Sequence, residues 1–160
     1  KGTLVRVARG IYCYPQEDKV LGLGVVYPSY DEIAQSIAKR DKARVAPAGA
    51  YAMNVLGLTT QVPMNLMFLT DGSPRSIVLF NGHKITFKHT VPKKLSFQHQ
   101  IAQLITAALQ EIGREHITEE HKQQLKTILS PIKEEQIKAD YVLMPAWIRT
   151  LLKALYEQIL

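Results

Sequence analysis

The sequence lacks the residues that would cross-link it or hold a metal ion. It has a single cysteine, Cys13, so no intramolecular disulfide can form, and one thiol fits a reducing compartment. The cytoplasm is therefore the predicted location. The five histidines stand at none of the spacings typical of a zinc site. No cofactor and no metal are predicted.

Acidic residues are almost absent from the middle of the chain. Residues 43–100 contain only Asp71, whereas a catalytic carboxylate pair or a two-acid metal site needs more than one. Asp71 opens the turn sequence Asp-Gly-Ser-Pro, so we interpret it as a turn residue whose carboxylate accepts hydrogen bonds from backbone N–H groups. On this basis no enzymatic activity is predicted.

Long apolar runs, signal-peptide patterns and internal repeats are absent as well. No stretch approaches the ~18–20 apolar residues that cross a bilayer, so no membrane partner is predicted. At 160 residues, of which 46% are hydrophobic, the chain fits one medium domain or two small ones.

Charge is unevenly distributed along the chain. Residues 1–100 hold 13 Lys and Arg against 6 Asp and Glu, whereas residues 101–160 hold 7 against 8. A basic first part favours an anionic partner such as nucleic acid. Many cytosolic proteins are mildly basic without such a partner, so charge alone leaves the question open.

The apolar periodicity predicts an α+β fold. Two β-prone runs around Arg9-Gly10 predict an N-terminal β-hairpin. Ser29 and Glu32 form a capping box, and the helix that it starts ends near Lys42. The runs 66–70, 75–80 and 83–89 predict a small antiparallel three-stranded meander with helices packed on it. Its second turn is predicted to be a two-residue type I′ turn at Asn81-Gly82.

The last third of the chain predicts a C-terminal helical layer, because the apolar period changes from two to 3.6 after residue 97. The first helix is expected to close at Gly113, and Thr118 is expected to cap a second. Ser130-Pro131 is expected to start a third, and Pro145 the last.

Small and uncharged polar residues are concentrated between residues 43 and 75. Gly49 and Gly57 bracket a predicted short helix that ends at a glycine C-cap. Asn54 and the run Thr59-Thr60-Gln61 are predicted to tie this helix to the next strand by hydrogen bonds. The alternative is that Thr60 and Gln61 face a groove and contact phosphate or a protein partner.

Three motifs in this sequence resemble a known family. They are IYCYP, then AxxxxxNxLGLTTQVP, and finally TDGxxR, which contains Thr70, Asp71 and Arg75. They resemble a bacterial family of uncharacterised function related to the AbiEi-type antitoxins, which are regulators encoded beside nucleotidyltransferase-like toxins. Arg75 is expected either to pair with Asp71 or to reach a phosphate.

The resemblance implies a DNA-binding autorepressor of a toxin–antitoxin operon. In that family the segment similar to LVRVARGIYCYP is the wing of an N-terminal winged-helix domain. Here the hairpin would be a wing remnant, and DNA would be read mostly by an N-terminal domain missing from this chain. The residues expected to contact DNA are Lys1, Arg6, Arg9, Lys39, Arg40 and Lys42. The alternative for the hairpin is that it joins the main sheet.

The same resemblance implies three regions. Residues 1–28 would hold the wing hairpin and a linker, residues 29–95 an α+β antitoxin-like core, and residues 96–160 the helical region. The expected partners are DNA, a cognate nucleotidyltransferase-like toxin and a second copy of the chain. The alternative function is a protein-interaction module that binds a toxin or self-associates without catalysis.

Overall fold

The N-terminal part of the chain forms two small antiparallel strand pairs. The computed structural model describes residues 5–13, 16–18, 24–26 and 29–159. Strands β1 (Val5–Ala8) and β2 (Ile11–Cys13) form the predicted hairpin, and Gly10 in its turn has φ +76°. Strands β3 (Gln16–Asp18) and β4 (Gly24–Val26) form the second pair.

The central sheet has four strands. They are β5 (Val45–Pro47), β6 (Asn65–Thr70), β7 (Arg75–Val78) and β8 (Lys84–His89), in the spatial order β5-β6-β8-β7. Strand β8 is parallel to β6 and antiparallel to β7, while β5 is antiparallel to β6. The α+β class is confirmed, together with the N-terminal hairpin and the C-terminal helices.

The predicted antiparallel meander is wrong in its strand order. The chain passes from β6 to the edge position at β7 and then returns, so β8 lies between them. This arrangement pairs the two six-residue strands β6 and β8 along their whole length and buries Leu66, Phe68, Ile85 and Phe87. Because each strand has the same side-chain alternation in either order, the sequence pattern does not distinguish the two arrangements.

The turn between β7 and β8 also differs from the prediction. The N–H of Gly82 donates to Leu79 O at 3.0 Å, and the N–H of Leu79 donates to His83 O at 2.7 Å, so three residues form the loop. Gly82 has φ +95°, whereas Asn81 has no positive φ. A type I′ turn needs positive φ at both central residues, so this is a three-residue loop with glycine in the left-handed position.

Helix α1 (Tyr30–Arg40) begins at the predicted capping box. The N–H of Glu32 donates to Ser29 Oγ at 3.1 Å, and the N–H of Ser29 donates to Glu32 Oε1 at 2.8 Å. Helix α2 (Gly49–Val55) ends as predicted at Gly57, which has φ +74°. The N–H groups of Gly57 and Leu58 donate to Asn54 O and Met53 O, which satisfies two terminal carbonyls.

The C-terminal part is helical. Its α-helices are α3 (Gln100–Ile112), α4 (Glu119–Leu129), α5 (Glu134–Ile137) and α6 (Ala146–Ile159), joined by 3₁₀ segments at Arg114–His116 and Lys138–Leu143. Gly113 closes α3 and Thr118 caps α4, as predicted. The third helix starts after Lys133 rather than at Ser130-Pro131. Among the described helices, none has the length and apolarity to cross a bilayer.

Buried side chains form two clusters. The sheet core joins the hairpin, α1 and the four-stranded sheet, with Leu66 and Phe68 fully buried at its centre. The helix core joins α2 to the C-terminal helices. Helix α2 supplies Tyr51 to the sheet core and Ala52 to the helix core, so this short helix connects the two.

The hairpin packs on the sheet core without becoming a strand of the central sheet. Ala8 and Ile11 are buried in that core, and Ala8 forms one isolated bridge with Leu79. The N–H of Phe80 donates to Val7 O at 2.9 Å. The hairpin is therefore held at the end of β7, while its pairing remains within a separate two-stranded sheet.

A buried carboxylate holds the start of α3 against the Lys138–Leu143 segment. Asp140 is 1% exposed, and its Oδ1 and Oδ2 accept hydrogen bonds from the N–H groups of Gln98 at 2.8 Å and His99 at 2.9 Å. Both donors lie at the N-terminal end of α3, where the helix dipole favours a negative charge.

We expect Asp140→Asn to lower the free energy of unfolding by about 2 kcal/mol, because the amide NH₂ would face a backbone donor that it cannot accept from. Urea denaturation measures the difference. The exposed substitution Glu135→Gln is the control and should change the free energy by less than about 0.5 kcal/mol. An Asp140→Asn protein as stable as the wild type would show that the two hydrogen bonds contribute little.

Candidate nucleic-acid interface

Arg44 joins three segments at one corner of the sheet. Asp71 Oδ1 accepts a hydrogen bond from the N–H of Arg44 at 2.8 Å, and Asp71 Oδ2 accepts one from Arg44 Nε at 3.0 Å. The guanidinium also donates to the carbonyl oxygens of Pro92 and Leu95, both at 3.4 Å. Arg44 therefore fastens the β6–β7 turn and the 3₁₀ segment Pro92–Leu95 to the start of β5.

Cationic side chains surround this corner. We call the group the basic corner, and it comprises Lys39, Arg40, Lys42, Arg44, Arg75, Lys93 and Lys94. Two carboxylates, Asp41 and Asp71, lie among these seven cations, which leaves a net charge of +5. The lysines and Arg40 are exposed. An exposed surface with a net positive charge of this kind attracts phosphate groups.

The two carboxylates orient particular arginines. Asp41 Oδ2 lies 2.9 Å from Arg75 Nη1, and Asp41 Oδ1 lies 3.8 Å from Arg40 Nε. Arg75 thus pairs with Asp41 and not with Asp71, whose two oxygens accept hydrogen bonds from Arg44. Arg75 keeps further N–H groups beyond this ion pair, whereas the guanidinium of Arg44 is engaged in hydrogen bonds at three nitrogens.

The end of α1 places Lys42 in an unfavourable backbone conformation. Lys42 has φ +57°, the left-handed region, and it is the only non-glycine residue with positive φ in the described part of the chain. Its N–H donates to Lys39 O at 3.2 Å, and the N–H of Ala43 donates to Ala38 O at 2.9 Å. Glycine usually takes this position of a helix C-terminus. Here a lysine takes it and adds a cation to the corner.

The structure separates the predicted DNA-contacting residues into two groups. Lys39, Arg40 and Lys42 lie at the C-terminal end of α1, within the basic corner. Arg6 and Arg9 lie on the hairpin, which packs near the N-terminal end of the same helix. Because α1 has 11 residues, the two ends are roughly 15 Å apart. Lys1 lies outside the described residues.

The polar run after α2 divides into bonded and exposed side chains. Asn54 Nδ2 donates to Thr59 O at 3.5 Å, and Thr59 Oγ1 accepts from the N–H of Gln61 at 3.3 Å. Gln124 Nε2 donates to Leu56 O at 3.1 Å and ties this turn to α4. Thr60 and Gln61 themselves are exposed. The predicted hydrogen-bonded tie thus involves Asn54 and Thr59.

The remaining motif residues shape the backbone. Gly49 has φ +58° at the start of α2, where an added Cβ would lie 3.8 Å from Met67 Sδ. Thr70 is buried, and its Oγ1 accepts from the N–H of Gly72 at 3.0 Å. His89 Nδ1 lies 2.9 Å from Gly72 O on the other side of the turn. These contacts fix the β6–β7 turn that carries Asp71.

Titratable groups with raised pKa values form two separate groups. Burial raises the pKa of Asp31, and burial together with the charge of Asp31 raises the pKa of Tyr51 to about 12. Burial, followed by the charge of Glu134, raises the pKa of Tyr156 to about 12. Asp31 and Tyr51 form the first group, at the sheet core. Tyr156 forms the second with Tyr141, whose pKa burial also raises and whose Oη donates to Glu134 Oε2 at 2.8 Å. Among the residues with described positions, no group of His, Cys, Asp and Glu could hold a metal ion.

Sequence reasoning missed Arg44, Lys93 and Lys94 as members of the corner. Arg44 comes just before a three-residue strand, and the two lysines follow β8 at a distance of more than 40 residues from Arg44 along the chain. The available signal was the charge count, because residues 39–95 hold nine Lys and Arg against two Asp. Only folding brings most of these cations to one place.

The fold and this corner define an α+β protein with a basic surface at one corner of a mixed sheet. The chain belongs to a family of unknown function, DUF6088, whose model matches residues 1–137. No curated protein and no solved structure matches the chain. The family match carries no assigned activity, so the resemblance to AbiEi-type antitoxins stays a prediction.

The hydrogen bond from the N–H of Arg44, and then its guanidinium, hold the pKa of Asp71 below the ordinary value of 3.8. A carboxylate with a lowered pKa stabilises the fold above its unfolded-state pKa, and that contribution disappears as the pH falls through its folded-state pKa. We expect Asp71→Asn to be less stable than the wild type by a constant amount from about pH 5 to pH 7. The difference should shrink as the pH falls below about 3.8.

Urea denaturation across this pH range measures the difference for Asp71→Asn. In an Arg44→Ala background the difference should be smaller, because the guanidinium is gone while the backbone N–H of residue 44 remains. A difference that stays constant to about pH 2.5 would show that the charge of Asp71 does not matter.

Replacing Lys42 by glycine should stabilise the protein by about 0.5–1 kcal/mol. Glycine removes the strain of the left-handed conformation, and its greater freedom in the unfolded chain offsets part of the gain. Thermal or urea denaturation checks the result. The matched control is Lys39→Gly, which should destabilise by about 1 kcal/mol because Lys39 is helical. Destabilisation by Lys42→Gly would contradict the expectation.

Proposed function

We propose that this protein is a DNA-binding regulator of antitoxin type, an autorepressor of a toxin–antitoxin operon. The basic corner is the observation that carries the DNA-binding part of this proposal. The corner contains seven cationic and two acidic side chains. Five of the cations are exposed: Lys39, Arg40, Lys42, Lys93 and Lys94. The antitoxin part rests on the resemblance of the IYCYP, LGLTTQVP and TDGxxR segments to the AbiEi-related family.

The cations of the corner have different tasks in this proposal. Lys39, Arg40 and Lys42 contact phosphate oxygens directly. Arg75 is held by Asp41 at 2.9 Å and offers its remaining N–H groups to a phosphate. Arg44 orients the surface through Asp71 and makes no phosphate contact, because its guanidinium is engaged by protein oxygens.

The hairpin provides a second contact to DNA. Arg6 and Arg9 are exposed, and they lie near the opposite end of α1 from Lys39 and Arg40. The length of α1, roughly 15 Å, separates the two groups along the helix, so they suit phosphates at different positions along one duplex. Such contacts position a protein without reading sequence.

A salt titration of duplex binding tests this proposal. We expect the logarithm of the association constant to fall linearly with the logarithm of salt concentration, with a slope of about one per phosphate contact. Substituting Lys39→Gln, Arg40→Gln and Lys42→Gly together should reduce the slope by about 2 to 3. Affinity should be similar for unrelated duplex sequences, because the corner contacts only phosphates.

The matched control removes three exposed cations from the helical region, by Arg114→Gln, Lys138→Gln and Lys153→Gln. This variant loses the same charge, so an unspecific charge effect would reduce its slope equally. We expect its slope to match that of the wild type. A wild-type slope near zero would exclude a nucleic-acid role, and equal losses in both triple variants would exclude the corner.

A second candidate function is a protein-interaction module that binds a nucleotidyltransferase-like toxin or a second copy of the chain. One observation favours it: apolar side chains are exposed together at the end of the sheet where β8 begins. Met64 is 59% exposed, Val78 65% and Phe80 62%. Met64 O accepts from the N–H of Lys84, and Lys84 pairs with Val78, so Met64 and Val78 lie on either side of the first residue of β8. Binding of a partner at this surface would be insensitive to salt.

A further inference from the structure

A cleft lies between the hairpin, α1 and the β7–β8 loop, outside the basic corner. Its volume is about 390 Å³, and it is lined by Arg6, Val7, Tyr30, Ile33, Leu79, Phe80 and Asn81. Volumes of ~300–1,000 Å³ are typical of small-molecule sites, which combine an apolar lining with a few polar groups. The cleft has this composition.

The floor of the cleft is apolar and its side is aromatic. Ile33 and Leu79 are each 3% exposed, so they form a packed base. Phe80 is 62% exposed, although an aromatic ring in water is unfavourable. Its backbone N–H is bonded to Val7 O, which holds the residue beside the hairpin. The cleft therefore combines an exposed aromatic side chain with a buried apolar base.

Polar groups at the rim are held in place by one another. Tyr30 Oη lies 3.1 Å from His83 Nδ1 and accepts a hydrogen bond from Asn81 Nδ2 at 3.1 Å. Asn81 Oδ1 accepts from the N–H of His83 at 3.1 Å. Asn81 keeps a second amide N–H and a second acceptor lone pair. A side-chain amide with both a donor and an acceptor matches the edge of a nucleobase.

A cation completes the cleft. The guanidinium carbon of Arg6 lies 5.2 Å from the centre of the Phe80 ring. Among the side chains with described positions, Arg6 takes part in no ion pair. Within that set, it can therefore contact an anionic group without breaking an ion pair. An aromatic ring next to a cation is the combination that binds single-stranded nucleic acid, through base stacking and phosphate contact.

We propose that this cleft binds an unpaired nucleobase, stacked on Phe80, with its edge against Asn81 and its phosphate on Arg6. This inference rests on the proposed nucleic-acid function and extends it, because it makes a single-stranded or locally opened strand a ligand. Charge complementarity selects this occupant: the cation of the cleft is Arg6, and the chain carries a net charge of +6.

The test compares two oligomers of equal length with the full chain, a single-stranded DNA that carries 2-aminopurine and an abasic DNA with the same number of phosphates. We expect the base-bearing oligomer to bind about tenfold tighter, with quenching of the 2-aminopurine fluorescence on stacking. Phe80→Leu should abolish the difference and the quenching, while leaving the salt dependence unchanged. Phe80→Tyr is the matched control and should retain both.

The outcomes separate this inference from the proposed function. Equal affinity of the wild type for the two oligomers would overturn the base site and leave phosphate binding intact. Failure to bind either oligomer, or duplex DNA, would overturn both. A preference for bases that survives in Phe80→Leu would place the bases elsewhere and overturn the cleft. Because Phe80 is mostly exposed, its variants should keep the wild-type melting temperature, which circular dichroism verifies.

Discussion

The contact between Arg44 and Asp71 is the constraint on which this arrangement depends. Both carboxylate oxygens of Asp71, the only acidic residue in residues 43–100, accept hydrogen bonds from Arg44. The guanidinium of Arg44 also donates to two carbonyl oxygens of the Pro92–Leu95 segment. The turn after β6 is thereby fixed beside the start of β5. Arg75, on the far side of that turn, pairs with Asp41 at the end of α1. Two ion pairs, Arg44 with Asp71 and Arg75 with Asp41, therefore connect the β6–β7 turn to the segments on either side of it.

The strand order distributes the two surfaces along the molecule. Strand β7 lies at the edge of the sheet. It begins at Arg75, in the basic corner, and leads into the loop at Phe80, where the hairpin is bonded through Val7 O. Helix α1 covers the same distance, with its last turn at the corner and Tyr30 at the loop. A cationic surface and an aromatic cleft therefore lie at opposite ends of the same two elements.

Local signals predicted the ends of the elements well, and long-range contacts were not predictable. Ser29, Gly57, Gly113 and Thr118 act on backbone groups within a few residues, so their effect can be read from the sequence alone. The sequence left open whether Arg75 pairs with Asp71. The hydrogen bonds from Arg44 to Asp71 join residues 27 positions apart, and sequence patterns do not predict contacts over that distance. For the same reason, sequence patterns do not predict that β8 lies between β6 and β7, or that Asp140 bonds to the start of α3.

By itself, the sequence determined the α+β class, the helix ends at Ser29, Gly57, Gly113 and Thr118, the separation of a basic part from a helical part and the absence of paired acids in residues 43–100. These features follow from local stereochemistry and composition, which act within one or two turns of chain. Only the tertiary structure decided which strands are neighbours, which cations share a surface and which ring stands open above a cleft. Those outcomes depend on the burial of surfaces far apart in the chain, and side-chain alternation is the same for each competing arrangement.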